Sequence, residues 1–168
     1  VQNVPTNFDT DLFMPIIEQT ETIAGKKYRQ NKENDVAFKV IADHIRTVAF
    51  AIGDGALPSN EGRGYVLRRL LRRAARHGRI LGIKGTFLTD IVAVVAKENA
   101  TAYPELTEKL DYIQKIIGNE ENKFAQTIDS GLALLNELID ETKNAGSTTL
   151  SGEGVFKLND TYGFPIDL

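Results

Sequence analysis

Arginine side chains between residues 60 and 84 give the clearest chemical signal in the sequence. This segment holds eight basic residues and one acidic residue, a charge of +7, whereas residues 1–59 carry −2 and residues 85–168 carry −8. On a helix that turns about 100° per residue, six arginines share one face and the aliphatic residues share the other. The six are Arg68, Arg69, Arg72, Arg73, Arg76 and Arg79. None is lysine, and the planar guanidinium group suits bidentate binding of phosphate or carboxylate oxygens.

Two kinds of partner fit this arginine face. Internal carboxylates from the acidic C-terminal half would pair with it and leave a helical protein-interaction scaffold. A phosphate backbone would bind it from outside. Arginines one turn apart repel each other unless a polyanion or several carboxylates compensate them, and the predicted helix carries no acidic residue after Glu61. The pattern therefore favours a phosphate backbone.

Other chemistry is scarce in this sequence. There is no cysteine, and the two histidines, His44 and His77, fall on different predicted elements without a second ligand at metal-binding spacing. Glu120 and Glu121 are adjacent, so they point about 100° apart on a helix and are interpreted as a solvated patch. No nucleophile–base pair emerges. We therefore predict no catalytic residue and no metal site.

Helical periodicity runs through nearly the whole chain and defines the elements that hold these residues. It predicts an all-α multihelical bundle with one long helix in the C-terminal half and a central, buried second helix. Asp9 or Asp11 is expected to cap the first helix, and Asp35 the second. The predicted helices span residues 10–23, 35–52, 61–76, 87–98, 104–142 and 152–162. A bend or break is expected in the longest of them, near residues 118–119.

Composition limits the class of protein. The chain has 168 residues, of which 42% are hydrophobic and 26% charged, the balance of an ordinary globular domain. No window approaches the apolar length of a membrane span, and no signal peptide is evident. A cytoplasmic protein without membrane contact is expected. Because the sequence starts at Val1 and stops at Leu168 within what looks like an element, we expect it to be part of a longer chain.

Several segments together resemble the alanyl-tRNA synthetases. They occur in the family's order and include long matching strings: NFDTDLF at residues 7–13, ADHIR at 42–46, DGALPSNEGRGYVLRR at 54–69 and DTYGFPIDL at 160–168. The resemblance covers essentially the whole chain. It implies that residues 1–168 are the helical tRNA-recognition domain that follows the catalytic domain.

The resemblance also implies a division of labour within a longer enzyme. The parent would be an ATP-dependent alanine–tRNA ligase of class II, with magnesium at its ATP site and zinc in a separate editing domain. This segment alone would hold none of these cofactors and would be inactive by itself. Its partners would be the acceptor stem of tRNA(Ala) and the catalytic domain of the same chain.

The family recognises a G·U wobble pair in the acceptor stem, and the residues that it uses resemble Asn60 and Asp160 here. In a G·U pair the guanine 2-amino group has no Watson–Crick partner and lies in the wide, shallow minor groove of A-form RNA. A side-chain oxygen of Asn60 or Asp160 can accept from it. Without the family, Asn60 would be a helix N-cap and Asp160 a turn former, and Asp167 is the alternative if Asp160 is buried.

Arginines of the basic segment would hold the RNA backbone, because phosphate contacts position a nucleic acid while base contacts give specificity. The residues expected to do so are Arg63, Arg69, Arg72, Arg73 and Arg76. Arg63 falls on the apolar side of the helical wheel, so it could instead brace the loop that contains Asn60.

Overall fold

The regular structure of the chain is helical. A computed structural model describes residues 2–160 and 164, with the side chain of Asp160 excepted, and no strand occurs among them. The prediction of an all-α fold is confirmed. After a 3₁₀ turn at Asn7–Asp9, the helices are α1 (Met14–Ala24), α2 (Lys32–Gly53), α3 (Gly62–Ile80), α4 (Leu88–Asn99), α5 (Pro104–Glu108), α6 (Leu110–Asn144) and α7 (Gly152–Asp160). In this part of the chain no helix has the length and apolar character needed to cross a membrane.

The chain divides into two compact units. The first comprises residues 1–121 and contains α1 to α5 with the start of α6. The second comprises residues 122–168 and contains the remainder of α6 together with α7.

Helix α2 is the centre of the first unit. It packs against α1, α3, α4 and α5. Its apolar side chains recur every three or four residues, and Phe38, Ile41, Ile45 and Ile52 are fully buried. Burying each such side chain contributes roughly 1.5–3 kcal/mol. The predicted central, buried helix is confirmed.

The ends of α2 are held by side chains that the sequence analysis did not select. At its start the Asn31 side chain accepts hydrogen bonds from the backbone N–H groups of Glu33 and Asn34, at 2.8 and 3.4 Å. At its end the Lys109 ammonium donates to the carbonyl oxygen of Gly53 at 2.7 Å. The expectation that Asp35 caps α2 is wrong, because this helix begins three residues earlier than predicted.

The expected cap of α1 is wrong for a similar reason. Helix α1 follows Phe13, whose side chain makes no capping hydrogen bond. Asp9 belongs to the 3₁₀ turn before it, where its carboxylate accepts from the backbone and hydroxyl of Thr6 at 3.2 and 3.0 Å. The Asp11 carboxylate instead accepts from the Gln2 side-chain amide at 2.6 Å, and the Asp11 N–H donates to the Gln2 side-chain oxygen at 3.1 Å. The 3₁₀ turn at Asn7–Asp9 is thus a separate local element that precedes α1.

The long helix of the C-terminal half is present, but it starts after a break at a different place. The short helix α5 ends at Glu108, Lys109 leaves the helical conformation, and α6 then continues through Gly118 and Asn119 to Asn144. The expected break near residues 118–119 is therefore wrong, whereas a bend there stays a prediction. Pro104 starts a separate turn of helix, and that turn closes through the Lys109 N–H, which donates to the carbonyl of Glu105.

In the second unit, a small apolar contact joins α6 to the residue Phe164, which follows α7. The ring of Phe164 lies over Gly131 of α6, and the backbone N–H of Phe164 donates to Leu158 at 3.0 Å. Leu158 and Phe164 are both buried. The Ser151 hydroxyl accepts from the backbone of Gly154 at 3.1 Å and so caps the start of α7.

Candidate nucleic-acid interface

Helix α3 separates its arginines into two rows. Arg68, Arg72, Arg76 and Arg79, here called the inner row, are half-buried, and the wheel places them within about 80° of one another. Arg69 and Arg73 lie further round the helix and are exposed, as is Arg63 in its first turn. The amphipathic pattern that predicted one arginine face therefore resolves into an inner and an outer part.

Arg68, the first residue of the inner row, faces a buried carboxylate on α6. Arg68 donates from Nε and Nη2 to the two oxygens of Glu120, each at 3.0 Å, in a bidentate pair. The two side chains are only 19% and 7% exposed. Burial lowers the pKa of the neighbouring Arg72, an effect that Glu120 opposes and the Arg68 charge reinforces. Internal pairing, one of the two alternatives for the arginine face, thus applies to Arg68.

The interpretation of Glu120 and Glu121 as a solvated patch is wrong. Both residues are buried. Glu121 accepts hydrogen bonds from the backbone N–H groups of Phe87 and Leu88, at 2.9 and 3.1 Å, and so satisfies the first turn of α4. Burial, only partly opposed by these hydrogen bonds, raises the pKa of Glu121 to about 7.

The sequence contained a signal for this burial. Ile113, Ile117 and Phe124 form a buried apolar stripe on α6. Glu120 and Glu121 lie three and four residues from both Ile117 and Phe124, so they fall on the same stripe. An acidic pair that interrupts a buried stripe needs cationic or backbone partners, and the arginines of α3 were the available cations.

An outer stripe of exposed side chains runs along α3. It consists of Tyr65, Val66, Arg69, Arg73 and Ile80, of which Tyr65 is 49% and Val66 54% exposed. Within the part of the chain that the structure describes, no carboxylate forms an ion pair with Arg63, Arg69 or Arg73. This surface combines accessible guanidinium groups with apolar and aromatic area, a composition suited to the phosphates and riboses of a nucleic acid.

The loop before α3 is folded tightly against the helix start. The backbone N–H of Ser59 donates to the carbonyl of Gly64 at 3.0 Å, and the Ser59 hydroxyl donates to the carbonyl of Glu61 at 2.8 Å. A Cβ at Gly64 would collide with the Ser59 side chain and the Leu57 carbonyl, and Gly62 has a φ of +57°. Only glycine suits both positions.

Asn60 protrudes from this loop and is exposed. It is not the N-cap of α3, because Glu61 occupies that position, without a side-chain capping hydrogen bond. The Asn60 side-chain oxygen instead accepts a hydrogen bond from Nη1 of Arg68. Asn60, Arg68 and Glu120 therefore form one connected chain of polar contacts.

The predicted RNA-backbone residues share one helix. Arg63, Arg69, Arg72, Arg73 and Arg76 all lie on α3, directly after the Asn60 loop. Asp160 is the last residue of α7, in the second unit. Asp167, the alternative to Asp160, lies outside the described residues.

Metal-binding side chains do not cluster in the described residues: no group of three or more His, Asp or Glu side chains could hold a metal ion there. His44 is half-buried, and its Nδ1 lies 2.8 Å from the Asp43 carboxylate. His77 is in the last turn of α3, where a cation interacts favourably with the helix dipole.

Comparison with known proteins places these features in a family. The sequence model described as "tRNA synthetases class II (A)" matches residues 1–168. The chain is 60% identical to alanine–tRNA ligase of Exiguobacterium sibiricum and 60% identical to that of Bacillus subtilis, in both cases over all 168 residues. It is 57% identical to alanine–tRNA ligase of Geobacillus thermodenitrificans. The chain spans 19% of the length of each of these relatives.

Proposed function

Because the chain belongs to the class II (A) tRNA synthetases, we propose that it is the segment of an alanine–tRNA ligase that binds the acceptor stem of tRNA(Ala). The observation that carries this proposal is the outer stripe of α3, where exposed arginines follow directly on the exposed Asn60 loop. Phosphate contacts and a base-reading side chain would then come from one rigid element.

Arg63, Arg69 and Arg73 would make the main backbone contacts. Their guanidinium groups are exposed and have no carboxylate partner among the described residues, so they can bind phosphate oxygens without breaking an internal ion pair. Arg72 and Arg76 complete the proposed set, but both are half-buried. They would contribute through their charge more than through direct access.

Asn60 and Asp160 would read the G·U wobble pair. The guanine 2-amino group is a donor in the minor groove, and an oxygen of each side chain can accept from it. A G·C pair uses that amino group internally, so the protein acceptor would remain unmatched at a cost of about 1–3 kcal/mol. This proposal rests on the family's motif at both positions and on the exposure of Asn60.

The remainder of the enzyme would perform the ligase chemistry. In class II synthetases an antiparallel sheet carries the arginines that bind ATP, and the described residues contain no strand. The sites for ATP, magnesium and the editing-domain zinc would lie in those other parts of the enzyme. The catalytic domain of the same chain would be the second partner of this segment.

A protein-interaction scaffold is the second candidate function. Its support is the pairing of Arg68 with Glu120, which shows that part of the arginine face serves internal packing. It does not account for the exposed arginines of the outer stripe. The two functions differ in whether the chain prefers one RNA duplex over another.

The deciding experiment measures binding of this chain to two acceptor-stem duplexes that differ only in carrying G·U or G·C. We expect tighter binding to the G·U duplex. Asn60→Ala should remove about 1–3 kcal/mol of this preference, since it deletes the acceptor. Arg73→Ala should weaken both duplexes alike, because it removes a phosphate contact. Equal binding of both duplexes by the wild-type chain, or identical behaviour of the two variants, would contradict the proposal.

A further inference from the structure

The Asn60 side chain contacts a buried ion pair formed by Arg68 and Glu120. Its amide oxygen accepts from Nη1 of Arg68, while Nε and Nη2 of the same guanidinium bind the two oxygens of Glu120. These three donor nitrogens, Nε, Nη1 and Nη2, belong to one planar guanidinium group. The orientation that Glu120 imposes on Arg68 therefore determines where Nη1 points.

The buried pair is a rigid support for the exposed amide. Arg68 and Glu120 are 19% and 7% exposed, so solvent and salt screen their attraction only weakly. A bidentate guanidinium–carboxylate pair also fixes the plane of the arginine, which a single hydrogen bond would leave free to rotate. The guanidinium plane cannot rotate freely, so Nη1 keeps a fixed position beside Asn60.

The contact with Arg68 also settles which end of the Asn60 amide faces it. A guanidinium group has only donors, so it can bind the amide oxygen but not the amide nitrogen. An amide oxygen has two lone pairs, and Arg68 takes one of them. The second lone pair is left to accept from a further donor, and the rotation that would exchange oxygen and nitrogen is disfavoured.

We propose that Arg68, held in place by Glu120, is a positioning residue that orients the Asn60 amide oxygen toward the guanine 2-amino group of a G·U pair. The inference rests on the proposed function, because it assigns Asn60 the same base-reading role. Arg68 would touch no RNA atom itself. Its effect would be on the discrimination between G·U and G·C more than on overall affinity.

The first test variant is Arg68→Lys. Lysine keeps the charge and most of the aliphatic stem but cannot bind Glu120 through two donors while presenting a third to Asn60. We expect the ratio of the two duplex dissociation constants to fall by about 5- to 100-fold toward unity, the range expected when one hydrogen bond to a base is lost. Affinity for the G·C duplex should change by less than about threefold.

The second test variant is Glu120→Asp, which keeps the charge of the carboxylate and withdraws it by one methylene. It should reduce the ratio in the same direction, because the guanidinium plane loses its anchor. Arg69→Lys is the matched control: it is the adjacent arginine, exposed and without an ion-paired carboxylate among the described residues. This control should lower affinity for both duplexes by the same factor and retain the ratio.

A measurement without RNA tests the orientation directly. The side-chain amide protons of Asn60 can be identified by nuclear magnetic resonance as the pair missing from Asn60→Ala. We expect a single, fixed environment for this pair in the wild-type chain. In Arg68→Lys and Glu120→Asp the shifts should move toward those of a solvated asparagine amide, while the backbone spectrum shows that the fold is retained.

The outcomes separate the two proposals. A wild-type chain without G·U preference, or Asn60→Ala with an unchanged preference, would overturn the proposed function and the positioning role with it. If Asn60→Ala loses the preference but a folded Arg68→Lys or Glu120→Asp keeps it, the positioning role alone is wrong. Unchanged Asn60 amide resonances in both variants would also overturn it.

Discussion

Glu121 places a titrating group inside the first unit. Its carboxylate is buried and accepts from the backbone of Phe87 and Leu88, with Arg79 and Asp90 acting on it through space. Since its pKa is raised from 4.5 to about 7, the fold favours the protonated form. Stabilisation by this group is full below about pH 4.5 and declines as the pH rises toward 7.

Glu121→Gln should remove this pH dependence. Glutamine can still accept from both N–H groups but does not titrate. The free energy of unfolding, measured in urea, should fall by about 2–3 kcal/mol more in the wild-type chain than in the variant between about pH 4.5 and about pH 7.5. Glu98→Gln, at an exposed position on α4, is the control and should follow the wild-type profile. A wild-type curve parallel to that of Glu121→Gln would contradict the assignment.

The start of α3 is determined by close packing of the preceding loop against the backbone of Gly64. Gly64 has no room for a Cβ, because the Ser59 side chain and the Leu57 carbonyl occupy that space. Alanine at this position has the better helix propensity, by up to about 1 kcal/mol. Overpacking of the loop opposes that gain and typically costs about 1–3 kcal/mol.

Gly64→Ala should therefore destabilise the chain slightly and displace the Asn60 loop. We expect a lower free energy of unfolding in urea, by about 1 kcal/mol, and a loss of the G·U preference in duplex binding. Gly152→Ala is the control, since a Cβ there meets no atom within 4 Å. If Gly64→Ala raises the free energy of unfolding and keeps the G·U preference, the Asn60 loop does not depend on the close contact of Gly64 with Ser59 and Leu57.

Helix existence followed from the sequence, whereas helix ends and partners did not. The apolar spacing of α2 and α3 is local, so it predicted both helices and the two faces of α3. Caps depend on where the chain turns. Asn31 caps α2 although the apolar pattern predicts Asp35, and Glu61 holds the N-cap position of α3 that Asn60 would take without the family resemblance. Glu120 needed a partner 52 residues away, which periodicity within one helix does not reveal.

The uneven charge is the property of the whole molecule that bears on binding. The net charge is −3, yet residues 60–84 carry +7. Part of this positive charge is compensated by Glu120, and the exposed Arg63, Arg69 and Arg73 remain available. An acidic chain can therefore attract a polyanion at one segment and repel it elsewhere.

The salt dependence of the association constant for the duplex should report the number of phosphate contacts. Three exposed arginines predict that the logarithm of the association constant falls with the logarithm of salt concentration with a slope of about −3. Arg69→Ala and Arg73→Ala should each reduce that slope by about 1. Lys115→Ala, an exposed cation on α6, should leave it unchanged. A wild-type slope near zero would exclude the arginines as phosphate ligands.

The contacts of Glu120 and Glu121 also set an order of assembly during synthesis. Glu120 binds Arg68 across 52 residues, and Glu121 binds Phe87 across 34. Helices α2 and α3 can pack as soon as they leave the ribosome, but the support of Asn60 waits for the first turns of α6. Non-local contacts of this kind form late, after loop closure. A nascent chain that stops before residue 120 would carry the basic helix without the Glu120 carboxylate, so a polyanion would compete for Arg68 until α6 is made.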